Sequence, residues 1–160
     1  MSAPLPTPNG NSPQPAQGAA WKKELRADGS PGALPLIRQA VVEAAEACGF
    51  GDEDVAKIEM AVGEACTNII EHAYNTQALK LEIAVFLTRF PNRLEVTIQD
   101  YSSINFAVDQ AETVGHIDDW LATGKRRGLG IFIIQSFVDK VQHRFVCGQG
   151  NELILIKYFA

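Results

Sequence analysis

The order of the helical and strand-like segments is the feature that most constrains how this chain folds. Helix-like apolar segments occupy about residues 35–48, 52–73 and 129–138. Strand-like segments bounded by turn residues occupy about residues 21–27, 79–88, 93–99, 141–146 and 152–159. Because the last four strands arrive in two adjacent pairs, they favour a mixed, mostly antiparallel sheet with helices on one face. The predicted fold class is therefore an α/β two-layer sandwich.

The composition of the chain limits the classes of protein to consider. The 160 residues carry a formal net charge of −5, so nothing indicates broad electrostatic binding to nucleic acid or to acidic membranes. No segment approaches the roughly 20 consecutive apolar residues that a membrane-spanning helix needs. The N-terminus has no basic segment followed by an apolar one, as a secretory signal would. We therefore expect a soluble, cytoplasmic protein with no direct nucleic-acid or membrane partner.

The first twenty residues differ in composition from the rest of the chain. Among Asn, Ser, Gln and Gly they hold the prolines Pro4, Pro6, Pro8, Pro13 and Pro15. Proline removes backbone donors, and few of the other side chains here can enter a core. Residues 1–20 are therefore predicted to be a disordered tail, with a tether or docking segment as the alternative, and residues 21–160 to be one domain.

The three cysteines are scattered and odd in number, at Cys48, Cys66 and Cys147. Each lies in an apolar stretch, and free cysteine is among the most often buried residue types. An odd, scattered set does not resemble a disulfide framework. The sequence therefore predicts three buried, reduced thiols.

The second predicted helix carries a stripe of polar side chains beside its apolar face. Its members are spaced four, three and four residues apart: Glu64, Asn68, Glu71 and Asn75. A carboxylate and a carboxamide one turn apart suit a metal–phosphate ligand, because Asn offers a neutral oxygen to Mg²⁺ and Glu can deprotonate a hydroxyl. From the spacing alone, an ordinary solvated helix face is the plainer alternative. His72 lies at the edge of the stripe, and without a second suitably spaced histidine it forms no zinc hydrolase motif.

A glycine-rich segment leads directly into the third predicted helix. Residues 124–130 read Gly-Lys-Arg-Arg-Gly-Leu-Gly. Glycines let backbone N–H groups approach an anion, the start of a helix favours negative charge, and the basic side chains add positive charge. The segment is not a Walker A loop, because no Gly-Lys-Ser or Gly-Lys-Thr occurs. A simple turn and helix cap remains open.

Asp100 closes the strand at 93–99. A carboxylate at the end of a strand can accept a hydrogen bond from an exocyclic amine such as that of adenine. The alternative is a turn-forming aspartate before Ser102 and Ser103.

Along the chain, the helical Glu-x3-Asn pair comes first, the strand-end Asp100 second and the glycine-rich helix start third, and this order resembles that of a known family. The most specific string is Glu64-Ala-Cys-Thr-Asn68-Ile-Ile-Glu-His72-Ala-Tyr74. It is similar to the N box of bacterial anti-sigma factor serine-protein kinases, within the GHKL ATPase superfamily. The resemblance covers about residues 21–158 and implies a histidine-kinase-like ATPase domain over residues 21–160.

The resemblance implies a role for each of the motif residues. Glu64 would be the general base that activates a serine hydroxyl, Asn68 would ligate the Mg²⁺ bridging the phosphates of ATP, and Asp100 would bind the adenine amino group. The second glycine box and its lid would contact the phosphates, and they comprise Lys125, Arg127, Gly128, Leu129 and Gly130.

The resemblance also implies an activity and partners. Members of the family are homodimers that hold a sigma factor, and they use ATP to phosphorylate a STAS-type anti-sigma factor antagonist. The sequence departs from the family pattern at the first glycine box, where Ser102 and Ile104 stand in place of glycines. At 150–152 it has Gly-Asn-Glu where the family often has Gly-Thr-Thr. These departures motivate an alternative, a non-catalytic partner-switching module of the same fold; a phosphohydrolase acting on a small molecule is a third hypothesis.

Overall fold

The computed structural model describes residues 18–74, 82–101 and 126–160. The strands are β1 Trp21–Asp28, β2 Glu82–Phe90, β3 Arg93–Asp100, β4 Lys140–Val146 and β5 Gly150–Tyr158. The helices are α1 Leu34–Ala47, α2 Asp52–Asn68 and α3 Arg126–Phe137, with a 3₁₀ turn at Pro31–Ala33 and a π-helical turn at Ile69–Tyr74.

The five strands form one sheet in the order β1-β2-β3-β5-β4, and each neighbouring pair is antiparallel. Tight turns at 91–92 and 147–149 close the β2–β3 and β4–β5 hairpins, as the paired strand signals predict. The α/β sandwich expected from the sequence is confirmed. The described sheet has no parallel pair: β2–β3 and β4–β5 join through hairpins, whereas α1 and α2 lie between β1 and β2 in the chain and α3 lies between β3 and β4.

The core lies between one face of the sheet and the helices. Alternate strand residues such as Val85, Ile98 and Leu153 are aligned across β2, β3 and β5 and point into this layer. The helices bury apolar residues against them, for instance Ile37 of α1 and Ile134 of α3. The alternate residues of the strands and the apolar residues spaced three to four apart on the helices therefore pack together in one apolar layer. None of the described helices is both long and apolar enough to cross a membrane.

The structure confirms two of the three predicted buried thiols and contradicts the third. Cys48 and Cys66 are buried, whereas Cys147 is exposed. Cys147 lies in the turn between β4 and β5, outside the layer that the strands and helices enclose. Complete burial raises the pKa of the Cys66 thiol to about 12, so this neighbour of the polar stripe stays protonated and unreactive near neutral pH.

One helix start agrees with the predicted one and another differs. Helix α2 begins at Asp52, as predicted, after the N-cap Gly51; its first turn contains Asp52, Glu53 and Asp54, whose charges favour a helix start. Helix α3 begins at Arg126, three residues before the predicted start at Leu129. Two glycines at its start made this segment look like a loop, but packing against α2 outweighs their weak helix propensity.

An ion-pair cluster connects the N-terminal end of α2 to strand β5 of the sheet. The Lys157 ammonium of β5 lies 3.7 Å from an Asp54 carboxylate oxygen and 3.6 Å from one of Asp139. Asp139 also accepts a hydrogen bond from the Tyr158 backbone N–H at 2.7 Å. The N-terminal end of α2 is thus linked to β5, and its C-terminal half is positioned by apolar residues such as Ala61 and Ala65 in the core.

Candidate active site

Glu64 and Asn68 lie one turn apart on α2, where the helix meets α3 at Gly130. A Cβ placed at Gly130 would lie 3.1 Å from Glu64 Oε2 and 3.3 Å from Asn68 Oδ1. Gly130 itself is buried. A side chain at this position would press on both polar groups, so glycine allows the α3 backbone to approach them. The structure thus brings three of the predicted site residues together, and we call Glu64, Asn68 and Gly130 the helix cluster.

The two side chains of the helix cluster lie at the boundary between core and solvent. Glu64 and Asn68 are half-buried, whereas Ala61 and Ala65 on the same helix are buried. A carboxylate and an amide at such a boundary keep their polar atoms within reach of a ligand while the helix beneath them is fixed by packing. Glu64 and Asn68 are therefore not on a fully solvated helix face, and their roles as general base and metal ligand stay predictions.

The predicted polar stripe continues only partly beyond Asn68. From Ile69 the backbone is π-helical, with a wider turn than an α-helix, so the regular spacing that predicted the stripe ends there. Glu71 is exposed in this turn. Asn75 lies outside the described residues, so its membership of the stripe stays a prediction.

The first turn of α3 contains three of the predicted phosphate-binding residues. Arg127, Gly128 and Leu129 lie in the turn that precedes Gly130. The first four N–H groups of an α-helix have no acceptor within the helix, and the helix dipole favours an anion beside them. The structure therefore places a helix start at 126–129, and phosphate binding there stays a prediction. Lys125, and the substituted glycine positions Ser102 and Ile104, lie outside the described residues.

Asp100 belongs to a second cluster, where β3 ends beside the start of β5. It is only 2% exposed and is aligned with Ile83 of β2 and Asn151 of β5. Asn151 Nδ2 donates to Asp100 Oδ1 at 3.1 Å, and Asn151 Oδ1 lies 2.8 Å from His143 Nε2. A surface turn is therefore not the role of Asp100. A buried carboxylate held in a strand is suited to recognise one specific donor.

Gly150 lets the β5 backbone pack closely against the end of β3 in this second cluster. Its φ is +97°, and an added Cβ would lie 2.0 Å from the Asp100 carbonyl oxygen and 2.8 Å from Tyr101 Cα. No other residue permits this approach of β5 to the end of β3. We call Asp100, Asn151 and Gly150 the strand cluster.

Sequence reasoning placed Asp100 in the site but missed how Asn151, His143 and Gly150 support it. Residues 148–150 looked like a simple hairpin turn. The missed signal is strand alternation: extended back from Leu153, it places Asn151 on the inner face, and extended forward from Val141 on β4 it places His143 there too. Asn151 stands where the family often has threonine, and its amide supplies a donor in place of the hydroxyl.

The donor set fits a magnesium ion held jointly with phosphates rather than a metal caged by protein alone. Across residues 18–74, 82–101 and 126–160, no group of three or more His, Cys, Asp or Glu side chains could hold a metal ion. Mg²⁺ usually takes one or two protein oxygens together with phosphate oxygens and waters. The Asn68 amide oxygen beside the Glu64 carboxylate matches that requirement.

Comparison with known proteins gives independent evidence. Residues 28–157 match the family model described as the histidine kinase-like ATPase domain. The chain is 31% identical over 125 residues to the serine-protein kinase RsbW of Bacillus velezensis, covering 74% of this chain and 75% of that protein. It is 28% identical over 134 residues to the protein of the same name from Bacillus cereus, covering 78% of this chain and 77% of the relative.

A solved structure shares the fold. The crystal structure of the RsbU and RsbW domains of a Mycobacterium tuberculosis protein superposes with a TM-score of 0.59 at 18% identity, over 85% of this chain and 31% of the larger one. The family match and the relatives agree with the resemblance seen in the N box. This chain belongs to the histidine kinase-like ATPase family and, within it, to the group of serine-protein kinases related to RsbW.

Proposed function

We propose that this protein is an anti-sigma factor that binds ATP with Mg²⁺ and phosphorylates a serine of a STAS-type antagonist protein. The observation that carries the proposal is the close approach of Gly130 to the α2 side chains: a Cβ on Gly130 would lie 3.1 Å from Glu64 Oε2 and 3.3 Å from Asn68 Oδ1. This contact brings a carboxylate, an amide oxygen and the start of a helix together, as phosphoryl transfer requires.

In this proposal Glu64 acts as the general base. Its carboxylate accepts the proton of the serine hydroxyl, which makes the oxygen a better nucleophile. Asn68 would hold the Mg²⁺ through its amide oxygen, and the N–H groups at the start of α3 would hold the phosphates, aided by Lys125 and Arg127. MgATP would supply the γ-phosphoryl group to the serine oxygen and leave as ADP, with its charge partly neutralised by the metal.

Asp100 binds the adenine in this proposal. The exocyclic amine of adenine donates a hydrogen bond, and an ionised carboxylate is a strong acceptor for it. Asp100 is 2% exposed, so few water molecules can reach its carboxylate. A base without the amine would leave a buried carboxylate without that donor, which is costly.

The partners are proposed from the resemblance and from the serine-protein kinase relatives. We propose a cytoplasmic homodimer that binds a sigma factor and releases it when the unphosphorylated antagonist competes. Phosphorylation of the antagonist then ends that competition.

The test is a phosphotransfer assay with γ-labelled ATP, Mg²⁺ and a STAS-domain antagonist protein from the same organism. The expected result is label on a serine of the partner, abolished by chelating the metal. No label on the partner over a long time course would contradict the kinase activity. No binding of ATP at millimolar concentration would favour the non-catalytic binding module instead, whereas tight binding of MgATP would count against that module.

A further inference from the structure

A chain of hydrogen bonds runs from the edge strand of the sheet to Asp100. His143 Nε2 lies 2.8 Å from Asn151 Oδ1, and Asn151 Nδ2 lies 3.1 Å from Asp100 Oδ1. His143 is half-buried on β4, while Asn151 and Asp100 are 3% and 2% exposed. The three side chains share the inner face of three adjacent strands, β4, β5 and β3. They therefore form one connected polar network inside an otherwise apolar layer.

The chemistry of the three groups determines which atom donates and which accepts in each hydrogen bond of this network. As a carboxylate, Asp100 only accepts hydrogen bonds, so the Asn151 amide must turn its NH₂ group toward it. The amide oxygen of Asn151 then faces His143, so the histidine nitrogen at this contact, Nε2, must carry a hydrogen. A reversed amide would set its oxygen against the Asp100 carboxylate. Each member thus fixes the orientation of the next.

The backbone around the network keeps the strands at this separation. Gly150 immediately precedes Asn151 and lies against the Asp100 carbonyl, where a Cβ would be 2.0 Å away. In the strand register Asn151 is directly opposite Asp100, and His143 is opposite Leu153, the next inner-face position along β5. Short side chains can span the network only because the strands are paired in this register.

We propose that Asn151 and His143 are positioning residues that hold the Asp100 carboxylate in the orientation that receives the exocyclic amine of a purine base. Asn151 acts on Asp100 directly, and His143 acts through Asn151 by fixing its amide. This inference rests on the proposed function, because it takes Asp100 as the group that binds adenine. It adds that base selectivity depends on residues that do not touch the nucleotide.

The test compares two nucleotides that differ in one group. ATP and purine riboside 5′-triphosphate differ only in the exocyclic amine, so the ratio of their affinities, measured calorimetrically with Mg²⁺ on the full chain, reports on the contact made by Asp100. The variants are Asn151→Leu, which removes the amide at similar size, and His143→Phe, which removes only the outer member. His143→Gln keeps an N–H donor near the position of Nε2. Gln142→Phe is the matched control, because Gln142 is the neighbouring β4 residue and is exposed on the opposite face.

The wild-type protein should prefer ATP by about tenfold or more, the worth of one hydrogen bond to a charged group. Asn151→Leu should bring the ratio close to one, and His143→Phe should lower it by about threefold. His143→Gln and Gln142→Phe should keep the wild-type ratio. Because a change in stability alone affects both nucleotides alike, the ratio separates positioning from folding.

The opposing results are distinct. If His143→Phe and any folded Asn151→Leu protein keep the wild-type ratio, the positioning role is wrong while the proposed function stands. If His143→Gln loses as much selectivity for ATP as His143→Phe, the hydrogen bond from His143 does not determine the base selectivity, and the positioning role of His143 is wrong. If the wild-type protein binds both nucleotides equally or binds neither, Asp100 does not bind the amine, and the proposed adenine site fails together with this inference.

Discussion

The helix cluster and the strand cluster hold their polar groups in different ways. In the helix cluster, Glu64 and Asn68 are half-buried and meet Gly130 across the contact between α2 and α3. In the strand cluster, Asp100 and Asn151 are almost fully buried and hydrogen-bonded to each other across paired strands. One cluster leaves its carboxylate accessible, whereas the other encloses it.

This difference matches the two tasks that we propose. Transfer to a protein serine needs a carboxylate that an incoming hydroxyl can reach. Recognition of a base needs an acceptor that keeps one orientation and is shielded from water. The comparison predicts that changes in the helix cluster alter rate with little effect on stability, while changes in the strand cluster alter stability and base selectivity.

Glu64→Gln is expected to have the largest effect and tests the helix cluster directly. The amide keeps the size and polarity of Glu64 but cannot accept the serine proton, so phosphotransfer should fall by about 10²–10⁴-fold. MgATP affinity should change little, because Asn68 and Asp100 are intact. Measured rates of labelling and calorimetric ATP binding check both statements.

Two further variants complete that test. Asn68→Ala should weaken MgATP binding as well as transfer, since it removes the proposed metal ligand. Glu59→Gln, on the same helix, should leave both quantities near their wild-type values. Equal loss of ATP affinity in Glu64→Gln and Asn68→Ala would show that Glu64 is a binding residue, and its role as general base would be abandoned.

Gly150→Ala tests the strand cluster through stability. The added methyl would meet the Asp100 carbonyl at 2.0 Å in a backbone with φ of +97°, so the strands must separate or the chain must strain. We expect the free energy of unfolding to fall by about 2–4 kcal/mol. Denaturant titration of the full chain measures it.

Gly148→Ala is the matched control for that prediction. Gly148 also has a positive φ, +81°, but nothing lies within 4 Å of an added Cβ. Its substitution should cost only the backbone strain, about 1 kcal/mol. Equal losses in the two variants would mean that the close approach of β5 to Asp100 contributes nothing to stability.

Gly130→Ala is expected to have the smallest effect and separates rate from stability in the helix cluster. Its Cβ would lie 3.1 Å from Glu64 Oε2, so the half-buried carboxylate must shift by a few tenths of an ångström. Alanine favours the helix by up to about 1 kcal/mol, so stability should be kept or raised. The transfer rate should fall by about three- to tenfold because the base is displaced.

Gly63→Ala provides the comparison. Gly63 is buried in α2, and the atoms nearest to an added Cβ would be those of the Arg38 guanidinium, 2.8 Å away at Nε, at the movable end of a long side chain. This variant should gain similar helix propensity without slowing transfer. If both variants slow transfer equally, the contact between Gly130 and Glu64 has no special role.

The sequence predicted the helix cluster more fully than the strand cluster, for a physical reason. Glu64 and Asn68 are four residues apart on one helix, and helical periodicity makes such neighbours visible without a structure. The glycine-rich segment ending at Gly130 was recognisable from its composition. Asp100 was found as the end of a strand, but its partners are 43 and 51 residues further along the chain, and no local pattern links residues so far apart.

The amino-acid sequence by itself determined the order of the elements, the antiparallel hairpins, the pairing of Glu64 with Asn68 on α2 and the family resemblance, because these depend on local spacing and residue type. Only the tertiary structure decided that α3 begins at Arg126 and places Gly130 against Glu64, and that Asn151 faces Asp100. Both contacts depend on the register and packing distance of elements far apart in sequence. Those quantities are set by the whole apolar layer, in which every strand and helix must pack at once.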